Sequence, residues 1–240
     1  MPRLRALAGL ALAAFLVATA PAAPAIAGSL EIGPIRLQMI GPERTATLTI
    51  RNVDSAPVTV QIRTVDWTQP NGEDVYTPSA LMLVSPPLVT LAPGESQVVR
   101  VVIENLPEAP TERAFRLILD ELPPEPNANA TGVQTAIRAL VPVFVTPSTA
   151  ARPNLSWSAI RSGDQLVVTA ANRGDSRDRL INLSVAADGQ ALNPYALDGY
   201  VLAGGSRSWT LPAGSAQAGA ITISAEGEYG TVEANVPVTP

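Results

Sequence analysis

The 240-residue chain reads as all-β: two immunoglobulin-like β-sandwich domains with a cleft between them. Three observations predict this. Helical periodicity is nearly absent. The 23 Pro and 17 Gly punctuate short runs rich in Val, Ile, Leu and Thr. The runs fall into two sets of seven or so, separated by the Pro-bounded segment PSTAARP at Pro147–Pro153.

The chain opens on a processing segment. Arg3 and Arg5 form a positive start, Leu7–Ala20 is apolar, and Ala25-Ile26-Ala27 is a small-x-small cleavage pattern. Removal of residues 1–27 leaves 213 residues, which suits two domains of about 100 residues each. The first is expected over 28–148 and the second over 149–240. Strands of the first set are predicted near 30–38, 45–52, 57–66, 81–84, 88–91, 96–104, 114–121 and 133–145. Those of the second fall near 155–160, 165–171, 179–186, 200–203, 206–211, 220–225 and 230–237. Asn71-Gly72, Pro93-Gly94, Asp188-Gly189 and Gly204-Gly205 are turn signals. The short Pro-bounded connection limits the angles between the two domains.

The last strand of the first set is unusual. Val133, Thr135, Ile137, Ala139, Val141, Val143 and Val145 share one face, while Ala136, Leu140 and Phe144 put apolar groups on the other. A strand with one solvated face alternates apolar and polar residues. This one is patterned to be covered on both sides, once by its own sandwich and once by something else.

The chemistry available to the chain is narrow. It has no Cys, so no disulfide, and no His. His-based triads, thiol nucleophiles and zinc sites built from His and Cys are excluded. All 16 basic residues are Arg; beyond residue 27, 14 Arg face 21 acidic residues, a net charge of −7. Such a body does not suit nucleic acid or an anionic membrane surface. The carboxylates Asp120-Glu121 are adjacent on a strand and point to opposite faces, so they make a poor glycosidase pair. Residues 175–178, DSRD, do not supply the alternating ligands of a calcium loop. No enzyme activity, cofactor or metal is expected. Trp67, Trp157 and Trp209 read as core residues, and Tyr195 and Tyr200 flank a loop of the second domain.

Three Arg stand out because they interrupt apolar strands: Arg36 between Ile35 and Leu37, Arg116 within AFRLIL, and Arg138 within TAIRALV. A guanidinium in such surroundings needs an acidic or polar partner, unless it snorkels to water.

Taken in order, EIGPIRLQM, the LAPGESQVVRV block, TERAFRLILDELPP and the strand ending in VFVTP resemble the periplasmic pilus-assembly chaperones, the PapD-like family. The resemblance spans residues 29–150 well and the rest loosely, and is nearest to the archaic branch that serves spore-coat-type pilins. Glu112, Arg113, Phe115, Leu119, Leu122, Pro123 and Pro124 fit the family frame. Arg116 stands where an aromatic residue is usual, and Ile118 where Asn is usual. The resemblance implies a periplasmic chaperone that lends a strand to a pilus subunit and passes it to an outer-membrane usher. Val133, Thr135, Ile137, Ala139 and Val141 would enter the subunit's groove. Arg36 matches the Arg that holds the subunit's C-terminal carboxylate. The family's second anchor, a Lys in the last strand, aligns with Pro142; Arg116 or, less favoured, Arg138 would replace it. The competing readings are a structural or adhesive Ig-like surface protein and a cleft glycosidase.

Overall fold

The computed structural model describes residues 30–123, 136–193, 195–214 and 219–240. Its first ten strands are β1 (Leu30–Gly33), β2 (Leu37–Ile40), β3 (Thr45–Asn52), β4 (Val58–Thr68), β5 (Val75–Pro78), β6 (Met82–Ser85), β7 (Leu88–Leu91), β8 (Ser96–Ile103), β9 (Arg113–Leu122) and β10 (Arg138–Thr146). They form a four-stranded sheet, β1-β3-β8-β6, packed on a six-stranded sheet, β2-β10-β9-β4-β5, in which β7 also pairs with β4.

Alternation decides which face is buried. In TATLTIRN of β3, Leu48 and Ile50 point inward, while Thr45, Thr47, Thr49 and Arg51 stay outside. Val99, Val101 and Ile103 do the same on β8, and Leu48 pairs with Val99 across the two strands. From the facing sheet come Leu37, Met39, Val60, Ile62, Phe115, Leu117, Leu119, Val141, Val143 and Val145. Full burial of each such side chain stabilises by about 1.5–3 kcal/mol.

The second domain contains β11 (Leu155–Ser162), β12 (Gln165–Asn172), β13 (Asp178–Ala187), β14 (Gln190–Ala191), β15 (Leu197–Val201), β16 (Ser206–Pro212), β17 (Ala220–Gly227) and β18 (Gly230–Thr239). They follow the order β14-β13-β17-β18-β11-β12-β16, with β15 on β13. The interior holds Leu166, Val168, Leu180, Leu183, Val185, Trp209, Ile221 and Ile223. Both domains end a strand on the same device. Asn52 donates from Nδ2 to Ala56 and Leu91 carbonyls; Asn172 donates to Ser176 and Val201 carbonyls. Each buried amide thus closes its own turn and satisfies a distant strand.

The structure changes several expectations. The predicted strand 30–38 is two strands in different sheets, β1 on β3 and β2 on β10, with the bend at Pro34–Arg36 between them. Arg36 therefore precedes a strand instead of lying within one. Of the predicted strand 133–145, the described residues are strand from Arg138 onward. Ala136 and Ile137 lie outside the regular pairing, although Glu121 N–H donates to the Ile137 carbonyl at 2.9 Å. Val133 and Thr135 lie outside the described residues. The run expected at 200–203 is β15 at Leu197–Val201. Strands β5 and β14 were not anticipated; one is fully exposed and the other has two residues, so neither carries an apolar period.

The domains meet through an aromatic cluster and two polar clasps. Trp67 and Phe144 from the first domain pack on Leu202 and Tyr200 from the second. The Trp67 and Tyr200 rings meet edge to face at 5.4 Å, and Phe144 lies 5.5 Å from Tyr200. In the first clasp, Gln69 donates to the Tyr200 carbonyl at 2.8 Å and accepts from Leu202 N–H at 2.9 Å. The predicted turn Asn71-Gly72 is part of this clasp. Gly72 has φ of +84°, and a Cβ there would lie 2.1 Å from Ser208 Oγ. Only glycine satisfies both the conformation and the approach.

Candidate functional site

The second clasp is ionic. Arg177 is wholly buried, with its guanidinium 3.7 Å over the Phe144 ring. It donates to Glu112 at 2.6 Å and to Glu228 at 3.2 Å. Glu112 also accepts from Thr146 Oγ1 at 2.7 Å and from Arg177 N–H at 3.2 Å. These bonds to Glu112 help to offset the loss of hydration of a buried ion pair, whereas Arg177 Nε is buried without an acceptor. Sequence reasoning missed the clasp. Glu112 was seen only as part of the family frame, and Arg177 only within a failed calcium loop.

The clasp fixes the wall of a cleft whose floor is the outer face of the six-stranded sheet. Strand periodicity places Arg138, Leu140, Pro142 and Phe144 of β10 on this face. Their partners on β9 are Asp120, Ile118, Arg116 and Ala114. The face has two cationic ends. At the far end, Asp120 pairs with Arg138 and, at 2.6 Å, with Arg63. Burial alone would raise the Asp120 carboxyl, but hydrogen bonds and charge from both Arg outweigh it and hold it below its ordinary value of 3.8.

At the cleft end stand Arg36 and Arg116. Arg36 donates to Glu228 at 3.0 Å and stays 37% exposed. It directly precedes β2, which runs parallel to β10 with Leu37 opposite Val143. Arg116 lies opposite Pro142. Its guanidinium sits 3.8 Å over Trp67 and 5.3 Å from Tyr76, with Nε buried and without a hydrogen-bond acceptor. Among the described residues no carboxylate is within ion-pair distance of Arg116. Asp74, which accepts from Trp67 Nε1 at 2.9 Å and pairs with Arg207 at 2.8 Å, is the anchor of the ring beneath it. Of the two Arg weighed against each other, Arg138 is ion-paired with Asp120, which it shares with Arg63, and Arg116 has no ion pair among the described residues.

The backbone of β10 completes the site. Glu121 bonds to Ile137, so ladder bonds to β9 alternate from there and use Ile137, Ala139, Val141, Val143 and Val145. Arg138, Leu140, Pro142, Phe144 and Thr146 turn their polar groups to the opposite edge. The Thr146 carbonyl accepts from Gly41 N–H on that edge, as this requires. There β2 pairs with Val143–Thr146 only. Among the described residues no strand covers the edge of Arg138–Pro142.

The proposed donor side chains divide at the same point. Val141 is 3% exposed and packs in its own sandwich core. Its assignment as a donor is corrected: a side chain committed to the domain's own core is not available to a partner. Ala139 packs half-buried against that core, and Ile137 is half-buried beyond it. The two-sided apolar pattern has a partial cause within the chain as well, since Phe144 is covered by the second domain.

A family of known proteins accounts for this architecture. No curated protein sequence matches the chain. Among solved structures, a chain of the CsuC–CsuE chaperone–tip adhesion subunit pre-assembly complex, from the archaic chaperone-usher Csu pili of Acinetobacter baumannii, is similar at 23% identity and a TM-score of 0.68. The similarity covers 88% of this chain and 99% of that one. The E. coli chaperone DraB is similar at 21% identity and a TM-score of 0.56, over 87% of this chain and 95% of that one. A chain of the Salmonella enterica SafA pilin–SafB chaperone complex is similar at 21% identity and a TM-score of 0.56, over 89% and 97%. Residues 29–151, more than half of the chain, match the family of the pili and flagellar-assembly chaperones, PapD N-terminal domain, and the chain belongs to that family.

Proposed function

We propose that the protein is a periplasmic chaperone that captures a pilus subunit by lending it a strand. In this reading residues 1–27 direct export and are removed, and the mature chain divides into domains at 28–148 and 149–240. The subunit is a spore-coat-type pilin whose Ig-like fold lacks its last strand and exposes an apolar groove. The segment from Val133 through Thr135 and Ile137 to Ala139 fills the groove at two-residue spacing, while main-chain bonds supply affinity. An outer-membrane usher receives the complex, and another subunit's strand replaces the loan.

One observation carries the reading. Among the described residues the edge of β10 at Arg138–Pro142 is uncovered up to the start of β2, and Arg36 stands directly before β2, on that side of the sheet. A strand ending there with its C-terminal carboxylate runs parallel to β10, in line with β2. Each charged hydrogen bond to that carboxylate is worth about 1.5–3 kcal/mol when shielded.

Co-expression with candidate Ig-like subunits, followed by co-purification, tests capture. Arg36→Ala and Arg116→Ala should weaken recovery of a subunit with its C-terminal residues intact. They should matter much less when those residues are removed. Arg138→Ala should have the smaller effect, because Arg138 lies at the far end of the face, beside Asp120. Equal losses with intact and truncated subunits would reassign the Arg pair to folding. Mass spectrometry of the exported chain should show a start at Gly28; soluble protein retaining Met1–Ala27 would sink the periplasmic assignment.

A further inference from the structure

We infer that the interdomain end of the first sandwich holds a second peptide site, centred on Arg113 and separate from the cleft, for an extended acidic segment of a partner protein.

Two cavities carry the inference. One, of about 590 Å³, is walled by the β2–β3 turn, the β8–β9 loop and the end of β10. The other, of about 370 Å³, runs from β4 to the β15–β16 turn of the second domain. Thr111 and Arg113 belong to both walls, so the cavities meet there. Both volumes lie in the range of ligand sites. Strand alternation places them away from the cleft. Phe115, Leu117 and Leu119 of β9 point into the sandwich core, and Arg113 continues that face beyond it. Val145, opposite Arg113, shares the face on β10, and Asp66, opposite Phe115, shares it on β4. Arg116 and Phe144 belong to the other face.

The polar groups of the site are incomplete in complementary ways. Among the described residues the half-buried Arg113 guanidinium has no hydrogen bond and no ion pair. Asp66 Oδ1 is buried and has no donor. Arg44, fixed by donating to the Gly41 and Glu43 carbonyls at 2.6 and 2.7 Å, adds a second cation to the larger cavity. Glu108 lines that cavity too, but it is exposed, and water weakens its field. Glu112, in the wall of the smaller cavity, is taken up by Arg177 and Thr146. A simple anion answers Arg113 and is repelled by Asp66. A peptide answers both, with a carboxylate side chain at Arg113 and a main-chain N–H at Asp66. Pro42, Pro107, Pro110 and Pro147 make the larger cavity apolar and stiff, which lowers the cost of ordering its walls around a guest.

The test selects phage-displayed random octapeptides on the immobilised full chain. Enriched sequences are synthesised with acetylated and amidated ends, which removes any terminal charge, and their dissociation constants are measured. They should share an Asp or Glu, and its replacement by Asn or Gln should weaken binding by about tenfold, the worth of one charge-assisted hydrogen bond. Arg113→Gln should weaken the acidic peptides by about the same factor and leave their Asn or Gln forms unchanged. Asp66→Ala should weaken both forms by about threefold. Ala109→Trp, which fills the larger cavity from its loop, should block binding with Arg113 and Asp66 in place. It carries the test if thermal melting shows Arg113→Gln unfolded. No enrichment, or enriched peptides indifferent to the folded variants, overturns the inference. So does affinity lost with Arg36→Ala instead, which places the peptide in the cleft. None of these results bears on strand capture, whose readout is subunit recovery.

Discussion

Along β10, Val143–Thr146 is hydrogen-bonded on both edges, to β9 and β2, whereas among the described residues Arg138–Pro142 is bonded to β9 alone. The amino acids of the two halves differ little: both mix β-branched and aliphatic residues with one residue that breaks the pattern. What differs is the cover. The inner side chains of the second half fill the sandwich, and its outer side chain, Phe144, is sealed by Tyr200, Leu202 and Arg177 from the other domain. In the first half, Leu140 remains 37% exposed on the outer face, and among the described residues no strand pairs with the edge of Arg138 and Leu140. One strand therefore serves as scaffold at one end and as binding surface at the other. The rigid half sets the direction in which the open half is presented.

The contrast can be broken most severely at the covered half. Arg177→Ala removes the partner of the buried Glu112 and should cost about 3–5 kcal/mol, visible as a lower denaturation midpoint. Replacing Arg177 by Met and Glu112 by Gln together should recover much of this, because no uncompensated charge then remains. Phe144→Ala should cost about 3–5 kcal/mol, by emptying the space under Tyr200 and Trp67. If Phe144→Ala left the midpoint unchanged, the domains would be held without the aromatic cluster.

The open half should respond in the opposite sense. Ile137→Asp, at a half-buried position beyond the core, should keep the circular dichroism spectrum and lose subunit recovery. An unfolded variant would show that Ile137 is a core residue. Leu140→Lys, on the outer face, should shift stability by no more than about 0.5 kcal/mol.

The smallest effect concerns pH. Asp120 ionises below its ordinary value of 3.8 in the folded chain, so its stabilising contribution is complete above 3.8 and is lost as pH falls through the folded value. The difference in melting temperature between the native chain and Asp120→Asn should be constant from neutral pH to mild acid and shrink only below about pH 3.8. Shrinkage well above that value would mean that Arg63 and Arg138 do not hold the carboxylate.

Much of the strand order was legible because apolar alternation survives in the linear sequence. TATLTIRN, SQVVRVVI and QLVVTAAN each declare a buried and a solvated face without reference to any neighbour. The split of the opening segment was hidden, since each part is apolar enough to be strand and the change of sheet depends on which edge lies near. The matching roles of Asn52 and Asn172 were hidden as well: each turn differs in sequence, and only the fold brings Leu91 and Val201 to the amides.

By itself the sequence determined the all-β class, the two-domain layout, the absence of His and Cys chemistry, and the three Arg worth weighing. Those are properties of composition and of contacts between near neighbours, which a linear pattern records. The tertiary structure decided which Arg has an ion-pair partner. Arg138 and Arg116 are both single cations in apolar strands, yet Asp120 and Arg63 surround one while Trp67 and Tyr76 support the other. It also decided that Val141 belongs to the core and that Arg177 ties the domains together. Coulomb energy and burial depend on distances of a few ångströms between residues far apart in the chain, and only folding sets those distances.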